Sequence, residues 1–383
     1  KKLVGIDFSK NMLKIAREVV NNPLGPIKII GFVDDDPNKI GKRLHGIKVI
    51  GNIKSIIDLN IPFDELLICA PAATSNQIRR IVNICKKSNK KYKTVPSLIE
   101  MIDRDYNLAS IRNVSYVDLL GRKEVKLDKE SILRMISGKR ILISGAGGSI
   151  GSELVTQCLA FNPSEIICFD NNEEKVFKIG NKKLKSSSKT VIKAVLGSVN
   201  NFEELRKVFN ETRPQIVIHA AAYKHVPLQE KHPWTAVCTN IGGTLNIIKL
   251  SHRFNIEKFV LVSTDKAVNP VNVMGATKRV AEKIVQSIDK TSKTKFMAVR
   301  FGNVLGSSGS AIPIFQNQIK RGGPVTITHP DIKRYFMSIQ EASQLILQSA
   351  ALGKDGEIFL LDMGEPIKID RIAKDLIRLS GFE

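Results

Sequence analysis

The 383-residue sequence holds no uninterrupted apolar run of 18 residues, so nothing in it reads as a membrane-spanning helix. It also lacks any Cys-x-x-Cys pair. Its five cysteines, Cys69, Cys85, Cys158, Cys168 and Cys238, are scattered and sit mostly in apolar runs. That usage points to reduced structural thiols in a cytoplasmic compartment, with no disulfide framework and no metal site. No helix-turn-helix, zinc spacing or RNA-recognition signature is present, and lysine pairs such as Lys86-Lys87, Lys90-Lys91 and Lys182-Lys183 run without interleaved aromatics. The net charge of +22, from 59 basic against 37 acidic residues, therefore reads as a lysine-rich solvated surface, and no nucleic-acid partner is expected. Internal repeats and low-complexity tracts are absent. The chain starts at Lys1 and stops at Gly381-Phe382-Glu383 within a helical pattern, so a piece of a longer protein is expected.

What is present is an alternation of apolar strands with amphipathic helices, over a length sufficient for two domains. Residues 1–100 carry it in Lys2–Ile6, Asn11–Val20, Ile27–Val33, Leu66–Ala70 and Asn76–Ser88, which predicts a small Rossmann-like α/β domain with a parallel sheet. Its first loop, Gly5 to Lys10, keeps one glycine of the G-x-G-x-x-G pattern and puts Asp7 where a backbone would approach phosphate. Packing or regulation is expected there before nucleotide binding, although Asp34 ends a strand where a ribose hydroxyl could be met. Residues 101–138 read as a connector, with an apolar segment at Ser115–Arg122 and a helix around Lys129–Ser137. Residues 139–383 read as a larger, doubly wound α/β domain.

That domain opens with the strand Arg140–Ser144 running into Gly145-Ala-Gly-Gly148-Ser149-Ile150-Gly151 and then a helix. The G-x-x-G-x-x-G spacing is typical of short-chain dehydrogenases. Its glycines permit a tight turn and let a pyrophosphate reach the free N–H groups of the helix start. The next strand, Glu165–Phe169, ends at Asp170, 19 residues beyond Gly151, where a carboxylate accepts from ribose hydroxyls and repels a 2′-phosphate, favouring NAD over NADP. Ser198 and Val199, after the strand Thr190–Leu196, are placed to line an adenine pocket. Ala220, Ala221 and Ala222, after the strand Gln215–His219, let a flat cofactor lie against backbone. Asn240, inside a long helix, needs buried partners and is read as holding the site's backbone.

The strand Lys258–Val262 delivers Thr264, Asp265 and Lys266, an acid beside a base where ligands bind in an open parallel sheet. Met274 and Lys278 follow at i and i+4, on one helix face. A tyrosine at 274 would complete the Tyr-x-x-x-Lys of short-chain dehydrogenases, but a thioether has no proton to exchange. Neighbouring Asp265 and Lys266 are not expected to pair with each other at a strand end.

Residues 145–154 (GAGGSIGSEL), 221–227 (AAYKHVP), 263–270 (STDKAVNP), 274–279 (MGATKR), 299–307 (VRFGNVLGS) and 328–337 (THPDIKRYFM) together resemble the long-form UDP-N-acetylglucosamine 4,6-dehydratases of bacterial polysaccharide and glycan biosynthesis, which are extended short-chain dehydrogenase/reductases. The resemblance runs from about residue 118 to the end, and more loosely through Gly31–Pro37. It implies removal of water across C5–C6 of a UDP-sugar, with NAD held as a prosthetic group. Asp265 is then the acid, Lys266 the base, Thr264 the substitute for the missing tyrosine, and Lys278 the contact to the nicotinamide ribose. Long-form members share the methionine. Lys224, His225, Asn303, Ser307, Arg321, Val325 and Arg334 are implied on the UDP-sugar. The resemblance further implies a homo-oligomer at the cytoplasmic face of the inner membrane, tethered upstream of Lys1. Two other readings stay open: a UDP-sugar 4-epimerase, which has no use for an acid–base pair across C5–C6, and a non-catalytic NAD-binding regulator, which has no use for Thr264, Asp265, Lys266 and Lys278.

Overall fold

A computed structural model describes residues 1–7, 10–22, 25–70, 73–95, 111–119, 127–181, 189–288, 292–307, 309–380 and 382. Residues 101–110 and 120–126 of the expected connector, residues 96–100 at the end of the expected first domain, and Lys182-Lys183 lie outside them. Two compact units divide the chain, Lys1–Val125 together with Lys374–Glu383, and Lys126–Ala373. The helix Lys129–Ile136 belongs to the second of these, where it packs on the helix Ile339–Leu352.

In the first unit a seven-stranded sheet is built around Lys2–Ile6, flanked by Lys28–Val33 and Glu65–Ile68. The inner pairings are parallel; short antiparallel strands, Arg43–Leu44 and Arg112–Asn113, close the two edges. Val4, Ile6, Phe32 and Val33 are fully buried, as a sheet covered on both faces requires. At the carboxyl end of the first strand, Asp7 adopts a left-handed backbone with φ 75° and faces Asp34. Burial, reinforced by the Asp34 carboxylate, pushes the Asp7 carboxyl up to about 6. Asp34 is itself buried and ion-paired with Lys39 at 2.8 Å. Two carboxyls thus occupy the place where a dinucleotide fold receives phosphate.

The second unit carries a seven-stranded, wholly parallel sheet. Counted along this unit its strands are Arg140–Ser144, Glu165–Asp170, Val191–Leu196, Ile216–His219, Lys258–Val262, Lys295–Arg300 and Ile358–Leu360. Their order across the sheet is 3-2-1-4-5-6-7. This is the doubly wound Rossmann architecture expected from the alternating pattern. Leu142, Ile167, Val217, Phe259, Leu261 and Phe296 form its core, with Phe259 and Phe296 ring centroids 5.4 Å apart. Truncating either phenylalanine to alanine is worth about 3–5 kcal/mol. Strand order reverses between Arg140–Ser144 and Ile216–His219, which opens a crevice at their carboxyl ends. The glycine loop leaves the first strand and Ala220–Ala222 the fourth, so both expected cofactor segments meet at the switch point.

Candidate active site

Two adjoining cavities of about 490 and 230 Å³ occupy that crevice and share Gly145, Gly148, Lys175, Ala220, Ala222 and Tyr223. The smaller is lined by Asp170, Ser198, Val199 and Ala221. Into the larger face Ser149, Ile150, Gly151, Lys224, His225, Thr264, Lys266, Met274, Lys278, Asn303 and Ser307. Residues spread over more than 150 positions of sequence are thereby collected. Asn240, Asp265, Arg321, Val325 and Arg334 line neither cavity. Arg321 closes the helix Ala311–Lys320, and Arg334 lies exposed in a two-stranded ribbon with Ile367–Lys368.

Gly145 has φ 70°, and a Cβ there would stand 2.6 Å from the backbone nitrogen of Ala221. Only glycine lets the two loops come this close. The helix Ser149–Leu159 starts at Gly148 without any side-chain cap, so its first N–H groups face the cavity. Asp170 accepts from the backbone N–H of Gly147 at 2.8 Å and of Asn172 at 2.9 Å, which fixes its carboxylate at the rim. Lys175 reaches both cavities. Lys224 is exposed at the rim, yet desolvation, with Lys175 nearby, holds its ammonium below the usual lysine range. An uncapped helix start and two cations make this crevice a place for a polyanion.

Behind the crevice runs a buried polar chain. Ser144 Oγ lies 2.6 Å from His219 Nδ1, and His219 Nε2 lies 2.9 Å from Thr244 Oγ1. Thr244 gives its own proton to the Asn240 carbonyl at 2.7 Å, so His219 must donate from Nε2 and accept at Nδ1. Burial, with Lys278 close by, drops the His219 imidazole to about 3 and keeps it neutral. Asn240, fully buried in a π-helical turn at Val237–Gly243, grips the Tyr223 backbone twice, at 2.8 and 3.0 Å. It also donates to Thr277 Oγ1 at 3.0 Å, in the helix that bears Met274 and Lys278. The wide π turn supplies the room for this inward-pointing amide.

At the floor, Thr264 caps a single 3₁₀ turn, Asp265–Ala267. That turn folds the two neighbouring side chains together. Lys266 Nζ stands 3.0 Å from Asp265 Oδ1, so the adjacent acid and base do pair, contrary to the expectation for a strand end. Thr264 Oγ1 donates to the same Asp265 oxygen at 2.9 Å. The other acceptor of Lys266 is Asn303 Oδ1, also at 3.0 Å. Asp265 therefore stands behind Thr264 and Lys266, bonded to both. Gly275 brings the next helix against the Lys266 carbonyl, where a Cβ would collide. Lys278 is buried; desolvation, only partly offset by Glu282, lowers its ammonium to about 8.

The profile of the family described as "Polysaccharide biosynthesis protein" matches residues 141–383, more than half of the chain. The chain belongs to that family. A relative named as probable polysaccharide biosynthesis protein EpsC of Bacillus subtilis is 43% identical over 96% of this chain and 62% of its own length, so the chain spans under two thirds of that relative. Two others match about 59% of the chain and 67% of their own length. One, 35% identical, is named UDP-glucose 4-epimerase, from Rickettsia canadensis; the other, 34% identical, is named UDP-N-acetylglucosamine 4,6-dehydratase (inverting), from Campylobacter jejuni. Among solved structures, Pen from Bacillus thuringiensis superposes with a TM-score of 0.60 at 32% identity, over 65% of this chain and 76% of that one. The family is thus one of Rossmann-fold, extended short-chain dehydrogenase architecture, related to nucleotide-sugar dehydratases and epimerases. No helix among the described residues is long and apolar enough to cross a membrane.

Residues that sequence reasoning missed include Lys175, Tyr223 and Ser263, all on the larger cavity, while Gly309 and Ser310, expected around the UDP, do line it. Lys175 carried no motif signal. Its position follows from its side chain packing beside Gly147 and Asp170.

Proposed function

We propose that this chain catalyses the NAD-dependent 4,6-dehydration of UDP-N-acetylglucosamine. The observation that carries the reading is the group Thr264, Lys266 and Asn303 on the cavity floor, bonded to Asp265 behind them, with Met274 where a proton-transferring tyrosine would stand. The Gly145 cradle, the uncapped start of Ser149–Leu159, Asp170, Lys175 and Lys224 fit a dinucleotide, and Lys278 lies where the nicotinamide ribose would sit. NAD bound there supplies the hydride acceptor for C4 and the returning hydride for C6. Thr264 relays the C4 hydroxyl proton to the Asp265 carboxylate, its hydrogen-bond partner. A ketone at C4 acidifies the C5 hydrogen, which Lys266 removes, while the proton held on Asp265 passes through the Thr264 hydroxyl to the C6 hydroxyl, which leaves as water; Lys266 then returns its proton to C5.

Those roles need a neutral amine and a protonated carboxyl. Asp265 receives its proton from C4 through Thr264, and Lys266 acts as base after releasing its own to solvent.

Incubation with UDP-N-acetylglucosamine and NAD, followed by NMR, is expected to give a C6 methyl doublet and a C4 keto signal. Change at C4 without a methyl group would mean a 4-epimerase, and NAD binding without turnover would mean a regulator. In a second test, Gly145→Val is expected to destabilise the fold by about 1–3 kcal/mol, because a β-branched residue is forced into the left-handed region. It should also remove NAD binding, as read by calorimetry. Unchanged NAD affinity in that variant would place the cofactor elsewhere.

A further inference from the structure

Glu282 lies one helical turn beyond Lys278, and its side chain is fully buried. No motif singles it out, and it does not line either cavity. Its carboxylate nevertheless takes four donors. Oε1 accepts from Ser263 Oγ and Arg300 Nε, each at 2.7 Å, and Oε2 from Arg300 Nη2 at 2.5 Å and Arg279 Nη1 at 3.2 Å. Burial alone would raise this carboxyl, but the hydrogen bonds from Arg300 and Ser263 outweigh it and hold the group below the usual range. It is therefore a fixed anion. A single buried charge with every lone pair used is a rigid joint, since any displacement leaves several polar groups unsatisfied.

The partners show what the joint connects. Ser263 immediately precedes Thr264-Asp265-Lys266. Arg300 ends the neighbouring strand, three residues before Asn303. Glu282 itself belongs to the helix Val273–Ser287 that carries Met274 and Lys278. The two strand ends are also in register through Ser263 N to Val299 O at 2.7 Å and Asp265 N to Phe301 O at 3.0 Å. Lys266 bridges the same two ends from the cavity side, bonding Asp265 from one and Asn303 from the other. We propose that Glu282 is a positioning residue: by binding Ser263 and Arg300 on one carboxylate it sets the distance between the Asp265 and Asn303 acceptors, and so the placement of the Lys266 amine over the substrate. Solvent cannot substitute for it, because the joint is closed off.

The geometry requires that loosening the joint harms the proton steps while leaving the surfaces that grip the nucleotide sugar. Ser263→Ala removes the hydroxyl that links Glu282 to the catalytic run and leaves both arginine pairs intact, so it folds even where Glu282→Gln does not. In Ser263→Ala, kcat for dehydration is expected to fall on the order of 10-fold to 100-fold, with the KM for the nucleotide sugar little changed, as displacements of an ångström or less do. This kinetic arm rests on the dehydratase reading. A second arm does not: the pH dependence of Lys266 acylation by an amine-reactive reagent, followed by mass spectrometry on the intact chain, should shift by about half a pH unit or more when its two acceptors move. Glu282→Gln should show the same changes more strongly, with partial recovery of kcat in Glu282→Asp. If Ser263→Ala and Glu282→Gln lower only the melting temperature, with kcat and the Lys266 profile as in the wild type, the positioning role is overturned. If the Lys266 profile shifts but the wild-type protein yields no keto sugar, the positioning role stands and the dehydratase reading falls.

Discussion

Lys266→Ala is expected to leave a folded protein that no longer forms a 4-keto-6-deoxy sugar. The reasons for loss and for survival are separate. Lys266 is about a third exposed and its ion pair with Asp265 sits at the cavity surface. Such a pair contributes only about 0–1 kcal/mol to stability, so the fold should persist. The neighbouring Asn303 and Asp265 oxygens lose a donor but stay within reach of solvent. The cofactor crevice is built from other residues, Gly145, Gly148 and Asp170 among them, so NAD binding should hold within a few-fold. Chemistry is different. With no amine over C5, proton removal must rely on water, and losing a positioned general base costs on the order of 10²-fold to 10⁴-fold. Two measurements check the result: the C6 methyl signal in the product spectrum, and deuterium exchange at C5, which should vanish together. A normal rate of keto-sugar formation in the alanine variant would remove Lys266 from the mechanism.

Lys278→Met should make the protein more stable at neutral pH and far less active. Lys278 is buried, and burial lowers its ammonium from 10.5 to about 8. A depression of that size corresponds to a folding penalty on the order of 3 kcal/mol at pH 7. Below pH 8 both the folded and the unfolded chain carry the proton, so the penalty is present in full. Between pH 8 and 10.5 the unfolded chain binds more protons than the folded one, and stability rises with pH as the penalty is relieved. Methionine has the volume of the lysine stem without the charge. At pH 7 its variant should melt about 5–10 °C higher, and the increment in stability between pH 8 and 10.5 due to this residue should be gone. Turnover should fall about 100-fold, since the cation proposed to sit beside the nicotinamide ribose is lost. Melting curves at pH 7 and above pH 9, set beside kcat, read both halves. A variant less stable than the wild type at pH 7 would mean that the ammonium is held by partners more than it is penalised by burial.

Lys278 and Lys266 contrast in how they could be read from the chain. Both lie in short motifs, and both are placed on the cavity by structure. Their local settings were not equally legible. The helical spacing of Met274 and Lys278 puts them on one face whatever the neighbours do. The pairing of Asp265 with Lys266 depends on a 3₁₀ turn capped by Thr264, and an extended strand end would have parted the same two side chains. Asn303 illustrates the same limit. A motif brought it to the site as a contact for diphosphate, yet its oxygen is taken by Lys266, on a different strand end. Glu282 and Lys175 left no mark in the sequence at all, because a joint made of four donors exists only once three elements have packed.

The chain by itself determined the alternation of strands and helices, the glycine turn before Ser149, the carboxylate at Asp170 and the acid–base–methionine order from Asp265 to Met274. These follow from periodicity, backbone permissiveness and side-chain chemistry, all properties of residues a few positions apart. Tertiary structure alone decided that the strand order reverses between Arg140–Ser144 and Ile216–His219, that Asp265 and Lys266 meet, that Arg321, Val325 and Arg334 stand outside the cavities, and that two carboxyls fill the corresponding place in the first unit. Each of these depends on groups far apart in sequence competing for the same space and the same hydrogen bonds, and that competition is settled only when the sheet and its helices close on one another.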